Sequence, residues 1–109
     1  MTVPPPRPQA ELTAAAQAAY ARRREIKLRL RHTPNTDLLA LFTTYRRENP
    51  DLGRMRLRTV LSALPGVGKA STRRLLADLD LDGDRRMLQL GHQQARRLAE
   101  RLDTTNRHR

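Results

Sequence analysis

The segment that most narrows what this chain can become is Leu64-Pro65-Gly66-Val67-Gly68-Lys69. Before it, Leu57, Val60, Leu61 and Leu64 have i, i+3, i+4, i+7 spacing; after it, Leu75, Leu76 and Leu79 mark one helical face, so two helices meet at this hexapeptide. Pro65 lacks the amide that would continue the first helix and stops it. Gly66 and Gly68, without Cβ atoms, let the backbone turn sharply and lie flush against another surface, while Val67 between them plugs the core. The amides of Gly66, Gly68 and the next helical turn then point outward without intrahelical acceptors, a seat suited to a phosphate. Lys69 and the hydroxyls of Ser71 and Thr72 extend that seat. The nucleotide-binding pattern G-x-x-x-x-G-K-[ST] is not met, because only Val67 separates the glycines, and nucleotide binding is disfavoured. A plain inter-helix turn is the competing explanation, and the surrounding arginines weigh against it.

The rest of the chain reads as helix. Pro4, Pro5, Pro6 and Pro8 keep residues 1–9 extended, a disordered tail with no packing of its own. No Pro or Gly interrupts residues 10–31, and the alanines between 14 and 21 give this stretch high helix propensity. In that long helix only the second half, with Ile26 and Leu30 four apart, can pack firmly. His32-Thr33-Pro34-Asn35 breaks it. Leu38, Leu39, Leu41, Phe42 and Tyr45 then give a second helix an apolar face through about Arg47, ended by Asn49-Pro50-Asp51. Helices follow from about Arg56 to Ala63 and from about Lys69 to Asp78; after a turn over Asp80 to Asp84, a short helical turn lies between Arg85 and Leu90. A last helix from about His92 to Leu102 completes a domain of four to five helices over 35–103, leaving a frayed basic tail over 104–109. No segment alternates like a strand and no repeat is visible, so the fold class is all-α.

Charge narrows the partner. There are 22 Lys+Arg against 11 Asp+Glu, a net charge of +11, and a field of that sign makes nucleic acid the default ligand. Six basic residues, Arg22, Arg23, Arg24, Lys27, Arg29 and Arg31, crowd the long helix everywhere except along its Ile26/Leu30 stripe. Their mutual repulsion is relieved by nearby phosphates, the alternative being a merely solvated face. No run approaches the ~18 apolar residues that span a bilayer, and the N-terminus lacks a signal-peptide core, so a cytoplasmic protein without membrane contact is expected.

Several chemistries are disfavoured. With no cysteine there is no disulfide, thiolate zinc site or thiol nucleophile. His32, His92 and His108 lack ligand spacing, so no metal site is expected. Asp78-Leu79-Asp80-Leu81-Asp82-Gly83 opens like a calcium-binding EF-hand loop, but Gln89 stands where the bidentate Glu belongs and two arginines lie inside the loop. These carboxylates are instead expected to pair with Arg73, Arg74 or Arg85. One thin domain leaves little room for a base-flipping pocket; no catalytic residue, cofactor or enzyme activity is expected.

Gly53-Arg54-Met55-Arg56-Leu57, the Leu64–Lys69 hexapeptide, Arg85-Arg86 and Leu90-Gly91 together resemble the actinobacterial integration host factor proteins, over residues 10 to 103. The resemblance implies a long N-terminal helix joined to a helix-two-turn-helix domain, in a nucleoid-associated protein that binds and bends double-stranded DNA with little sequence preference. It implies that Gly66, Val67, Gly68, Lys69 and Ser71 contact phosphates and that Arg85 and Arg86 form a second DNA-facing element. Thr72, Arg54, Arg56, Arg22 and Arg23 join the expected DNA-binding set on position and charge. At Leu88 the chain departs from the family pattern, which has a basic residue there; the second surface is then weaker unless Arg96 and Arg97 compensate. The protein is expected to be a monomer without DNA. An RNA- or ribosome-associated protein is the alternative, since the same domain occurs there, and a protein-interaction module would need an exposed patch at Leu38, Leu41 and Tyr45.

Overall fold

Helix α1 runs Gln9–Arg31 and, among the described residues, packs on the rest of the molecule through its second half. Ile26 and Leu30 are buried, whereas residues 13–18 are exposed on every side and Tyr20 and Leu28 face solvent. At 1.5 Å per residue this helix is about 35 Å long, which accounts for an elongated envelope of 64 × 26 × 25 Å. The computed structural model describes residues 9–107, and side chains within 13–104. The expected Pro-rich tail before Gln9 lies outside the described residues.

Helix α2, residues 35–48, is continuous but irregular. A 3-10 turn at Asn35–Asp37 leads into an α turn at Leu38–Ala40, a π turn at Leu41–Tyr45 and a closing α turn at Arg46–Glu48. A π turn holds an extra residue and shifts the inward register by one. Leu38, Leu41 and Phe42 therefore point inward as the spacing predicts, but Arg46 follows them into the core while Tyr45 turns to the surface. This corrects the idea of an apolar docking patch: Leu38 and Leu41 are buried.

Asn49 ends α2 and starts α3, Pro50–Arg54. Its Oδ1 accepts from the amides of Asp51 at 3.1 Å and Leu52 at 3.2 Å, and Pro50 occupies the first helical position, where a missing amide costs nothing. Gly53 in this helix is sterically required, since a Cβ would stand 2.6 Å from the Arg46 carbonyl oxygen and 2.6 Å from Leu88 Cγ.

Helix α4, Leu57–Ala63, buries Leu57, Val60 and Leu61 and packs on α1 and on α5, Lys69–Asp78. A 3-10 turn at Met87–Gln89 precedes α6, His92–Arg107, which buries Ala95, Leu98, Ala99 and Leu102. This helix continues past Leu102, where the sequence pattern ends it, because polar residues with adequate helix propensity follow without a breaker; residues 108–109 lie outside the described residues. Phe42, Leu57, Val60, Leu61, Met87 and Leu98 form the centre of the core. Full burial of side chains of this size contributes about 1.5–3 kcal/mol each. The fold is all-α; among the described residues its one extended pairing is an antiparallel bridge between Arg56 and Arg86, flanked by Leu57 N–H to Arg85 O at 2.7 Å and Met87 N–H to Met55 O at 2.9 Å.

Candidate nucleic-acid interface

The hairpin between α4 and α5 has the shape its glycines allow. Gly66 takes φ 71°, the left-handed region that other residues resist. Val67 is buried, and its amide donates to Leu64 O at 3.2 Å. Gly68 is the N-cap of α5, and no side chain caps the helix. Its φ of −96° and ψ of −174° suit any residue, and a Cβ there would meet nothing within 4 Å. The fold itself therefore has no steric need for glycine at 68.

Gly66, Gly68 and Lys69 are exposed and Ser71 is half-buried. Two expected contact residues instead face inward. The Val67 side chain belongs to the core, and Thr72 is buried, with its amide donated to Gly68 O at 2.9 Å and its Oγ1 3.3 Å from Ser62 Oγ. Both shape the seat from behind, because the hairpin closes only with Val67 inside and Thr72 is the first residue to complete an α5 hydrogen bond.

A second basic element assembles around the Arg56/Arg86 bridge. Arg86 Nη1 donates to Arg54 O at 2.7 Å, and its backbone N–H to Gln89 Oε1 at 2.8 Å. Arg54, Arg56 and Arg86 form one wall of a groove of about 980 Å³; Tyr20, Arg22, Arg23, Arg24 and Lys27 of α1 form the other. An adjoining groove of about 600 Å³ is lined by Lys27, Arg31, Arg58, Lys69 and Arg73, with the hydroxyl residues Thr59, Ser62 and Thr72 on its floor. Lys27 and Thr59 belong to both. The two grooves are thus one basic trough between α1 and α4, running from the arginine bridge to the start of α5.

Arg85, Ser71, Arg96 and Arg97 line neither groove. Arg85 contributes its carbonyl to the bridge and leaves its side chain in solvent. Arg58 and Arg73 are trough residues that sequence reasoning leaves out of the site. For Arg73 a signal exists, since it lies one turn after Lys69 on α5; for Arg58 there is none, because its placement depends on the bridge.

Carboxylates pair with several of the trough arginines. Asp84 Oδ1 lies 3.0 Å from Arg58 Nη2 and 3.9 Å from Arg56 Nη1, and Asp51 Oδ2 lies 3.4 Å from Arg22 Nε. Asp78 pairs with Arg101 at 3.1 Å. The pairing expected with Arg73, Arg74 or Arg85 is thereby corrected: the turn after α5 folds back on α4 and α6. Gly83 permits this close return, since a Cβ there would stand 2.8 Å from Leu76 Cδ1 and 3.2 Å from Arg58 Cβ. Exposed pairs of this kind contribute about 0–1 kcal/mol each. Among the described residues no three His, Asp or Glu side chains converge as a metal would require.

Arg46 is the residue that sequence reasoning misses altogether. It is 2% exposed, and its Nη1 donates to Met87 O at 2.9 Å and to Leu90 O at 2.7 Å. Its Nε has no partner. Burial, and secondarily the charge of Arg47, push its pKa below the ordinary arginine value.

Residues 33–102 match the family model for an S13-like H2TH (helix-two-turn-helix) domain. An integration host factor of Streptomyces coelicolor is 33% identical over 107 residues, covering 96% of this chain and 98% of its own. One from Mycolicibacterium smegmatis is 30% identical over 103 residues, covering 94% and 98%. The structure of sIHF bound to an 8-bp palindromic DNA aligns with a TM-score of 0.69 and 31% identity, over 81% of this chain and 97% of that one. The chain therefore belongs to the actinobacterial integration host factor family, with its S13-like H2TH domain at residues 33–102.

Proposed function

We propose that this protein is a nucleoid-associated architectural protein that grips double-stranded DNA by its phosphates, with little regard to sequence. The observation that carries this reading is the continuous basic trough that ends at the uncapped start of α5. Its solved relative, sIHF, holds DNA. One phosphate sits at the amides of the first α5 turn, beside Gly66, Gly68, Lys69 and Ser71, where the helix dipole favours an anion. Arg54, Arg56 and Arg86 take phosphates further along, with Arg22 and Arg23 across the groove and the exposed Arg85 at its margin. Contacts at two separated points on one face neutralise phosphates unevenly, which favours bending toward the protein.

The lining supports binding: its cations outnumber its carboxylate, Asp51, which is ion-paired with Arg22. The protein acts in the cytoplasm, at the nucleoid, and is a monomer in the absence of DNA. The test is an affinity measurement on two unrelated DNA duplexes and a matched RNA duplex over a salt series. Similar affinities for both DNA duplexes, falling steeply with salt, are expected. Tighter binding to the RNA duplex would move the function to RNA.

A further inference from the structure

The surface arginines of the bridge stand on two segments that are remote in sequence and share few backbone hydrogen bonds. A one-residue bridge is a weak support for a binding surface, because isolated extended pairs have little stability of their own in water. What holds the second segment is underneath. Arg46 sends its guanidinium from α2 to the carbonyls of Met87 and Leu90, the residues that open and close the turn directly after Arg86. The backbone of the same residue supports the first segment: the Arg46 carbonyl oxygen lies against Gly53, which precedes Arg54, and Arg54 O receives the Arg86 side chain. One buried residue thus touches both segments that carry the bridge.

Stability alone does not account for an arginine here. Burying a guanidinium without a carboxylate partner is costly, and replacing buried charge by an apolar side chain of similar volume is often neutral or stabilising. Arg46 Nε is left without a hydrogen bond, so the cost is incompletely offset. The guanidinium supplies what an apolar side chain cannot, two directed bonds to two carbonyls of one turn. We infer that Arg46 is a positioning residue for DNA binding: its bonds to Met87 O and Leu90 O hold the turn that aims Arg86 into the trough. The inference rests on the DNA-binding role proposed for the bridge.

The test is a mutant cycle of R46M, R86A and R46M/R86A, with R46K and R46Q beside it, read by DNA affinity across a salt series and by far-UV circular dichroism. R46M is expected to remain helical. Its affinity should fall about tenfold and its salt slope by about one, the change expected when one phosphate is no longer neutralised. In the R86A background R46M should add less than about twofold, because residues acting through one contact are non-additive. R46K keeps the charge and enough donors, but on a shorter and more flexible stem without the planar guanidinium, and should fall between wild type and R46M. A folded R46M with wild-type affinity and slope, beside a weakened R86A, overturns the role of Arg46 alone. So do additive losses. An R86A protein that binds like wild type overturns the bridge contact and the role of Arg46 together. Should R46M fail to fold, R46Q decides, since its amide is neutral and too short to reach both carbonyls: a folded R46Q indistinguishable from wild type overturns the proposal.

Discussion

The hairpin and the arginine bridge lie at opposite ends of one trough and are built on opposite principles. The hairpin is contiguous in sequence and offers backbone: an uncapped helix start and a glycine whose missing side chain leaves open space. The bridge joins distant segments and offers side chains, several already engaged with the protein itself, Arg86 with Arg54 O and Arg56 and Arg58 with Asp84. A helix start without a side-chain cap can take a phosphate without displacing a cap, whereas a cluster of like charges must be held together by bonds that a ligand then rearranges. Changes at the hairpin should therefore separate binding from stability, and changes at the bridge should couple them.

Gly68→Asp tests the separation most sharply. An aspartate at the N-cap can accept from the first-turn amides of α5, adding a few tenths of a kcal/mol or more to stability, while placing a carboxylate where the phosphate sits. DNA affinity should fall about a hundredfold, since like charges juxtaposed cost several kcal/mol, and thermal melting should show an equal or higher midpoint. A weaker fold with unchanged binding would reverse the assignment. Gly53→Ala is the contrasting glycine. Its Cβ would collide with backbone at Arg46 O, so denaturant unfolding should show a loss of about 1–3 kcal/mol, with binding falling in parallel as the bridge deforms; Gly68→Ala should cost about 1 kcal/mol at most.

Smaller effects separate the two kinds of charge in the trough. Arg54→Ala should weaken binding about tenfold for every duplex alike, with the salt slope reduced by about one in a titration series. Asp84→Asn should act in the other direction. Freed of the carboxylate, Arg56 and Arg58 meet phosphates without a competitor, and affinity should rise about two- to fivefold, the scale of an exposed ion pair. Weaker binding by Asp84→Asn would mean that the carboxylate holds the arginines in place.

The same contrast explains what is legible in the sequence. Local signals carry the long helix with its Ile26/Leu30 stripe, the helix ending at Ala63, the helix starting at Lys69 and the glycine hairpin between them, because each depends on residues a few positions apart. The basic residues at 54, 56 and 86 are recognisable as candidates, but their meeting is not: one bridging pair leaves no alternating pattern to read. Arg46 is invisible for a related reason. Regular helical spacing puts Tyr45 on the buried face, and only the π turn at Leu41–Tyr45 moves the inward position to 46. The partners of Asp78 and Asp84 likewise depend on how the turn after α5 folds back.

The most direct test of the two-element grip is the salt dependence of DNA affinity for the wild-type protein and for R54A/R56A/R86A, on one duplex under one buffer series. If these arginines neutralise phosphates, the log–log plot for the triple variant should be shallower by about 0.9 for each phosphate left unneutralised, while residual binding through the hairpin keeps a non-zero slope. Two parallel lines of equal slope would mean that the bridge never touches the phosphate backbone, and would contradict the account.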